Sequence, residues 1–146
     1  MIQEQYVSFE TAKLLKEKGF NEELCYIYSK YGDLHRIIDT EYSVSTCDYE
    51  IKIRNSDYND ITQYKYNFLV TAPTQSLIMR WLREVHNLFI DISIIPHSTV
   101  TMEQKYYHYN IFKNRRGISK YERKEFYPTY EEACESAIKY CLENLI

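Results

Sequence analysis

Long hydrophobic runs are missing from this 146-residue chain. The longest, such as Phe68-Leu69-Val70 and Ile94-Ile95, fall far short of the ~18 apolar residues that a bilayer-crossing helix requires, so no membrane span is expected. The amino-terminal Met1-Ile2-Gln3-Glu4-Gln5 has neither a basic n-region nor an apolar h-region, which speaks against a secretory signal and makes a reducing cytoplasm the expected compartment. Glycine and proline are scarce, three of each, too few for a linker-rich or low-complexity chain, and no internal repeat is visible. The four cysteines, Cys25, Cys47, Cys134 and Cys141, form no C-x-x-C pair and no regular disulfide spacing, so free thiols are expected. Charge of one sign is also lacking. With 18 Lys and Arg against 21 Asp and Glu the formal charge is −3, which excludes a basic nucleic-acid coat and an acidic tail alike. Aromatic residues, by contrast, are plentiful at 16%, and 16 of them are tyrosines. Each brings a large apolar body with a polar tip, suited to cores, sheet faces and binding surfaces. The length suits one domain with one core.

Helix signals bracket the chain. Ser8 is a good N-cap for residues 9–18, Gly19 stands where a left-handed C′ residue belongs, and Phe20 is placed to fold back over the helix end. Phe9, Ala12 and Leu15 would line its apolar stripe. Thr74 follows Pro73 as the N-cap of a second helix, in which Leu77, Ile78, Trp81, Leu82 and Val85 form the apolar face and the end falls near His86-Asn87. The third helix starts at a T-x-x-E capping box, Thr129 to Glu132, with acidic residues in its positive first turn. Ala133, Cys134, Ala137, Ile138, Cys141, Leu142 and Leu145 make its inner face.

Strand signals fill the intervals. Residues 25–28 and 34–38 read as a hairpin around Tyr31-Gly32-Asp33, provided Gly32 takes a positive φ. Residues 49–54 and 61–70 are rich in β-branched and aromatic residues, and the turn formers at 55–60 between them read as a mobile loop. Residues 88–95 alternate Phe89, Asp91, Ser93 against Ile90, Ile92, Ile94, and Pro96 stops them. Residues 106–112 can pair with them antiparallel. The expected fold is therefore α+β, about three helices packed on an antiparallel or mixed sheet in a single compact domain, residues 1–146.

The segment Ala72-Pro73-Thr74-Gln75-Ser76-Leu77-Ile78-Met79-Arg80-Trp81-Leu82-Arg83-Glu84, with residues 8–20 and Tyr130-Glu131-Glu132-Ala133, resembles a group of uncharacterised small proteins of Bacteroidetes genomes, prophages and phages. The matching blocks span about a third of the chain. The resemblance implies a phage or mobile-element context and carries no assigned activity.

Little chemistry is written in motifs. His35, His86, His97 and His108 have no helical i,i+4 partner and no cysteine at finger spacing, so no metal or cofactor is expected. For His86, at a helix end, the favourable charge of the C-terminus is the simpler explanation. No G-x-S-x-G elbow and no glycine-rich phosphate loop is present. Cys25 or Cys47 in an apolar strand reads as a small core residue before it reads as a nucleophile, and Asp57 and Asp60 as a solvated turn before a carboxylate pair. No catalytic residue is assigned, and an enzyme is the least favoured class.

Charge segregates in one place. Residues 103–126 carry seven Lys and Arg against three Glu, a net +4, while residues 1–70 carry eight against twelve, a net −4. Lys113, Arg115, Arg116, Lys120, Arg123 and Lys124 alternate there with Tyr107, Tyr109 and Tyr121, next to Tyr106 and Phe112. This is the composition of a surface that contacts phosphates and stacks bases. The plain alternative is a hairpin with a solvated Asn114-Arg115-Arg116-Gly117 tip and tyrosines packed on a helix. Arg80 and Arg83, at i,i+3 beside Gln75 and Met79, could hold a carboxylate or phosphate, with Glu84 in reach of Arg80; Trp81 on the same helix reads as a core anchor. The sequence thus points to a non-catalytic interaction module whose partner is nucleic acid or, equally in residue type, a protein. Pairing of residues 88–95 with a second copy stays open.

Overall fold

The computed structural model describes residues 3–37, 52–56, 68–95, 106–113, 119–122 and 126–146. The described residues form an α+β arrangement of three helices and two antiparallel three-stranded sheets, where a single antiparallel or mixed sheet was expected. Within the chain expected to form one domain, the contacts gather into two compact units, residues 6–73 and residues 1–5 with 74–146.

The first unit holds helix α1 (Phe9–Glu17) and strands β1 (Tyr26–Ser29), β2 (Leu34–Arg36) and β3 (Phe68–Thr71). The Ser8 hydroxyl accepts from the Thr11 N–H at 3.2 Å, as an N-cap should. At the other end Gly19 takes φ 85°, the N–H of Phe20 donates to Leu15 at 2.9 Å and that of Gly19 to Lys16 at 3.1 Å. This is a Schellman closure, and it folds Phe20 into the core at 1% exposure. β1 lies between β2 and β3. The turn from β1 to β2 has Gly32 at φ 87° as expected; a Cβ there would also stand 3.4 Å from the Phe9 ring.

Asn55, the first of the turn formers at 55–60, departs from expectation. Asn55 is buried, its Nδ2 donating to the Phe20 carbonyl at 2.8 Å and its Oδ1 accepting from the Thr71 N–H at 3.0 Å. An amide that serves two main-chain groups is satisfied inside the protein and has no need of water. Residues 57–60 lie outside the described residues, as do 49–51 and 61–67 of the two expected strands. What is described is a single bridge between Leu24 and Ile53, and β3.

The second unit holds α2 (Gln75–His86), β4 (Leu88–Ile95), β5 (Tyr106–Lys113), β6 (Ser119–Glu122) and α3 (Tyr130–Asn144). The caps at Thr74 and Thr129 form as the sequence indicates. Asn87, in the left-handed region at φ 55°, ends α2 and turns the chain directly into β4. β5 is the central strand, flanked by β4 and β6. Helix α2 packs on β4, and α3 packs on β4, β5 and α2. Leu88, Ile111, Ile78, Leu82, Ile138 and Leu142 are fully buried between the layers, each contributing roughly 1.5–3 kcal/mol of burial.

The buried side of α2 is rotated from the one expected. Val85 is 59% exposed, while Gln75 is buried, its Nε2 donating to the Glu131 carbonyl at 3.0 Å and to a Glu135 carboxylate oxygen at 3.2 Å. The inner stripe is Gln75, Ile78 and Leu82, with Trp81 half-buried and edge-on to His86 at 4.5 Å.

Candidate nucleic-acid interface

Residues alternate across a strand, so β5 presents two faces. Tyr107, Tyr109, Ile111 and Lys113 lie toward α3, and Tyr106, His108, Asn110 and Phe112 lie on the opposite side. The contacts of Tyr107 and Tyr109 with α3 and the segment before it fix the first set. Tyr109 is 1% exposed, its ring 6.0 Å from Tyr127 and 6.4 Å from Tyr140. It is a core residue and cannot stack on a base, which corrects its reading as a surface ring. Tyr107 is half-buried, edge-on to Tyr130 at 6.2 Å, and exchanges both main-chain hydrogen bonds with Tyr127 at 2.9 Å.

The basic residues divide in the same way. Lys113 brings its ammonium to 3.5 Å from the Leu145 carbonyl, supplying positive charge at the end of α3, whose last turn holds no basic residue. Its charge also reaches His86. Burial first, and Lys113 second, push the His86 pKa below its ordinary value, so the expected gain from a charged imidazole at the helix C-terminus is overruled. Lys120 is the register partner of Phe112 and Tyr121 that of Ile111. Arg115 and Arg116, in the stretch joining β5 to β6, and Arg123 and Lys124 after β6, lie outside the described residues.

On α2, Arg80 Nε is 2.9 Å from a Glu84 carboxylate oxygen, and Arg83 reaches the same oxygen at 4.0 Å. Glu84 thus occupies the position an anion would take between them. Gln75 faces α3, and Met79 Sδ accepts from the Cys134 thiol at 3.8 Å, so neither belongs to an exposed anion site.

The opposite face of β4 and β5 was not singled out from sequence. Register pairs Phe89 with Phe112, Asp91 with Asn110 and Ser93 with His108. The Ser93 hydroxyl donates to Asp91 at 2.8 Å, and the Asn110 amide lies 3.4 Å from His108 Nε2. Asn110 is 7% exposed, and its Oδ1, like His108 Nδ1, is buried with no hydrogen-bond partner among the described residues. The available signal was the alternation of β5 itself, which separates its even positions from the tyrosines at 107 and 109.

Among the described residues no group of three His, Cys, Asp or Glu side chains could hold a metal ion, and no helix is long and apolar enough to cross a membrane. Neither protein-family models, nor curated proteins, nor solved structures yield a match to this chain.

Proposed function

We propose that this protein is a non-catalytic accessory module of phage or mobile-element type that contacts single-stranded nucleic acid through the β5–β6 hairpin. The observation that carries the reading is the antiparallel pairing of Lys113 with Ser119 and Phe112 with Lys120. It brings Lys113 and Lys120 to one end of the sheet, within the segment of net charge +4. Cations grouped beside a sheet that carries aromatic side chains suit phosphates and bases together. Tyr107 remains a candidate contact and Tyr109 does not.

The test is fluorescence anisotropy with labelled single-stranded DNA, single-stranded RNA and duplex at roughly 50 and 200 mM salt. Salt-weakened binding to single strands is expected. Replacing Arg115 and Arg116 with Ala should weaken it and reduce the log–log salt slope by about 1.4, two phosphates at about 0.7 each. Absence of binding at the lower salt overturns the reading.

A second reading, a protein partner, has its own support. Ile94 is 54% exposed, Tyr130 45% and Phe126 59%, and Ile94 is the register partner of Tyr107, which touches Tyr130. An apolar and aromatic patch of this kind is what protein contacts are anchored on, and such binding would persist at high salt.

A further inference from the structure

We infer that β4 is a docking edge for an extended peptide of another protein, which adds as a further strand beneath helix α2 and sets a basic residue against Asp91. The inference is separate from the nucleic-acid reading, because β4 is the edge of its sheet away from the β5–β6 hairpin.

Main-chain direction carries it. Tyr107 exchanges both of its main-chain hydrogen bonds with Tyr127, on the side of β5 away from β4. Ile94, the register partner of Tyr107, therefore stands in a non-hydrogen-bonded pair and turns its N–H and C=O outward. The pairing runs in one register from Leu88 to Ile95, so Ile90 and Ile92 do the same by alternation, while Phe89, Asp91 and Ser93 bond to β5. Among the described residues no strand lies on that outer side and no main-chain bond reaches it. A row of open N–H and C=O groups on an edge strand is a template for one more strand.

Helix α2 supplies the roof. α3 packs on β4 and β5, and α2 on β4, which puts α2 over the margin of the sheet. Gln75 and Met79 face α3, and at about 100° per residue Leu77, Trp81 and Val85 fall on the flank away from it. Val85 and Ile94 are exposed, and Leu77, Trp81, Ile90 and Ile92 are half-buried. The three isoleucines share the helix side of the sheet with their register partners Ile111, Tyr109 and Tyr107. The apolar stripe of α2 is thus wider than the sheet beneath it, and a strand beside β4 fills the difference.

The same geometry states the chemistry of the occupant. Every second side chain of the added strand points between these isoleucines and α2 and must be apolar. The side chains between them lie beside Phe89, Asp91 and Ser93. Asp91 is exposed, accepts from the Ser93 hydroxyl at 2.8 Å and meets no cation among the described residues, so a lysine or arginine opposite it completes the pair. A second copy of β4 fits less well, because antiparallel self-pairing would bring a second α2 onto the face that the first already covers.

The experiment displays random peptides of about nine residues, long enough to match β4, to the full chain. Wild-type protein should enrich peptides with apolar residues at alternate positions and Lys or Arg between them. Asp91→Lys should turn that preference to Asp or Glu, and Val85→Glu, at an exposed position, should weaken the selected peptides roughly tenfold. Amide exchange followed by NMR reads the edge itself. In the free chain the N–H groups of Ile90, Ile92 and Ile94 should exchange faster than those of Asp91 and Ser93, and a selected synthetic peptide should slow them. No enrichment, a charge preference that ignores Asp91→Lys, or peptide binding that leaves Ile90, Ile92 and Ile94 exchanging as before would overturn the inference. Slow exchange of these groups in the free chain would overturn it too, and would assign the edge to a second copy where dilution restores fast exchange and to the chain itself where it does not. Salt-dependent binding of single strands at the hairpin stands or falls apart from all of these results.

Discussion

Asn55 and Thr71 are joined by a buried hydrogen bond, the Thr71 N–H donating to the Asn55 Oδ1 at 3.0 Å, while the other end of the same amide donates to Phe20 at 2.8 Å. One side chain thereby satisfies a main-chain group just past the end of α1 and another at the end of β3.

Replacing Asn55 with Ala would remove both of these buried hydrogen bonds. The expected loss is about 2–4 kcal/mol of unfolding free energy, counting about 1–2 kcal/mol for each buried hydrogen bond lost. Urea unfolding of wild-type and variant protein measures it. A loss under about 0.5 kcal/mol, the level of an ordinary surface substitution, would show that the amide is not a structural link.

His86 predicts an acid-side weakening. Its Nε2 is buried with no partner among the described residues, and burial, followed by Lys113, lowers its pKa. The unfolded chain then binds the proton more readily than the folded one. The contribution is complete above the ordinary imidazole pKa and is lost as pH falls through that value toward the folded one. The imidazole resonances of His86, followed by NMR, should titrate below the ordinary histidine range. Lys113→Met should move them part of the way back, since the burial contribution stays. A titration at or above the ordinary value would contradict this account.

The buried thiols predict selective reactivity. Burial pushes Cys134 up to about 11 and Cys141 up to about 12, so thiolate is scarce at neutral pH and both sulfurs are shielded. Cys25 is half-buried on the first unit. Iodoacetamide at pH 7.5 followed by peptide mass mapping should label Cys25 well before Cys134 and Cys141, which should react only in denaturant. Labelling of Cys141 in the native protein at the rate of Cys25 would show that the α3 core opens.

Local rules wrote much of the fold into the sequence. Ser8, Thr74 and Thr129 cap their helices, Gly19 and Gly32 take positive φ, and the period-two pattern of residues 88–95 becomes an eight-residue strand. Each of these depends on neighbours within a few positions, where capping, steric freedom and side-chain alternation act directly. The α+β class followed from their order. Tertiary contacts decided what no local pattern contains. Gln75 entered the core because the Glu131 carbonyl and the Glu135 carboxylate on α3 accept hydrogen bonds from its amide, and Val85 was left outside by the same rotation of α2. Asn55, a turn former by composition, was buried because Phe20 and Thr71 offered it partners 35 and 16 residues away. Tyr109 and His108 are adjacent in the chain, and the strand pattern alone does not say which of them is covered. Only the side on which α3 packs determined that Tyr109 belongs to the core and His108 to the opposite face, because burial is settled by what covers a strand and not by the strand itself.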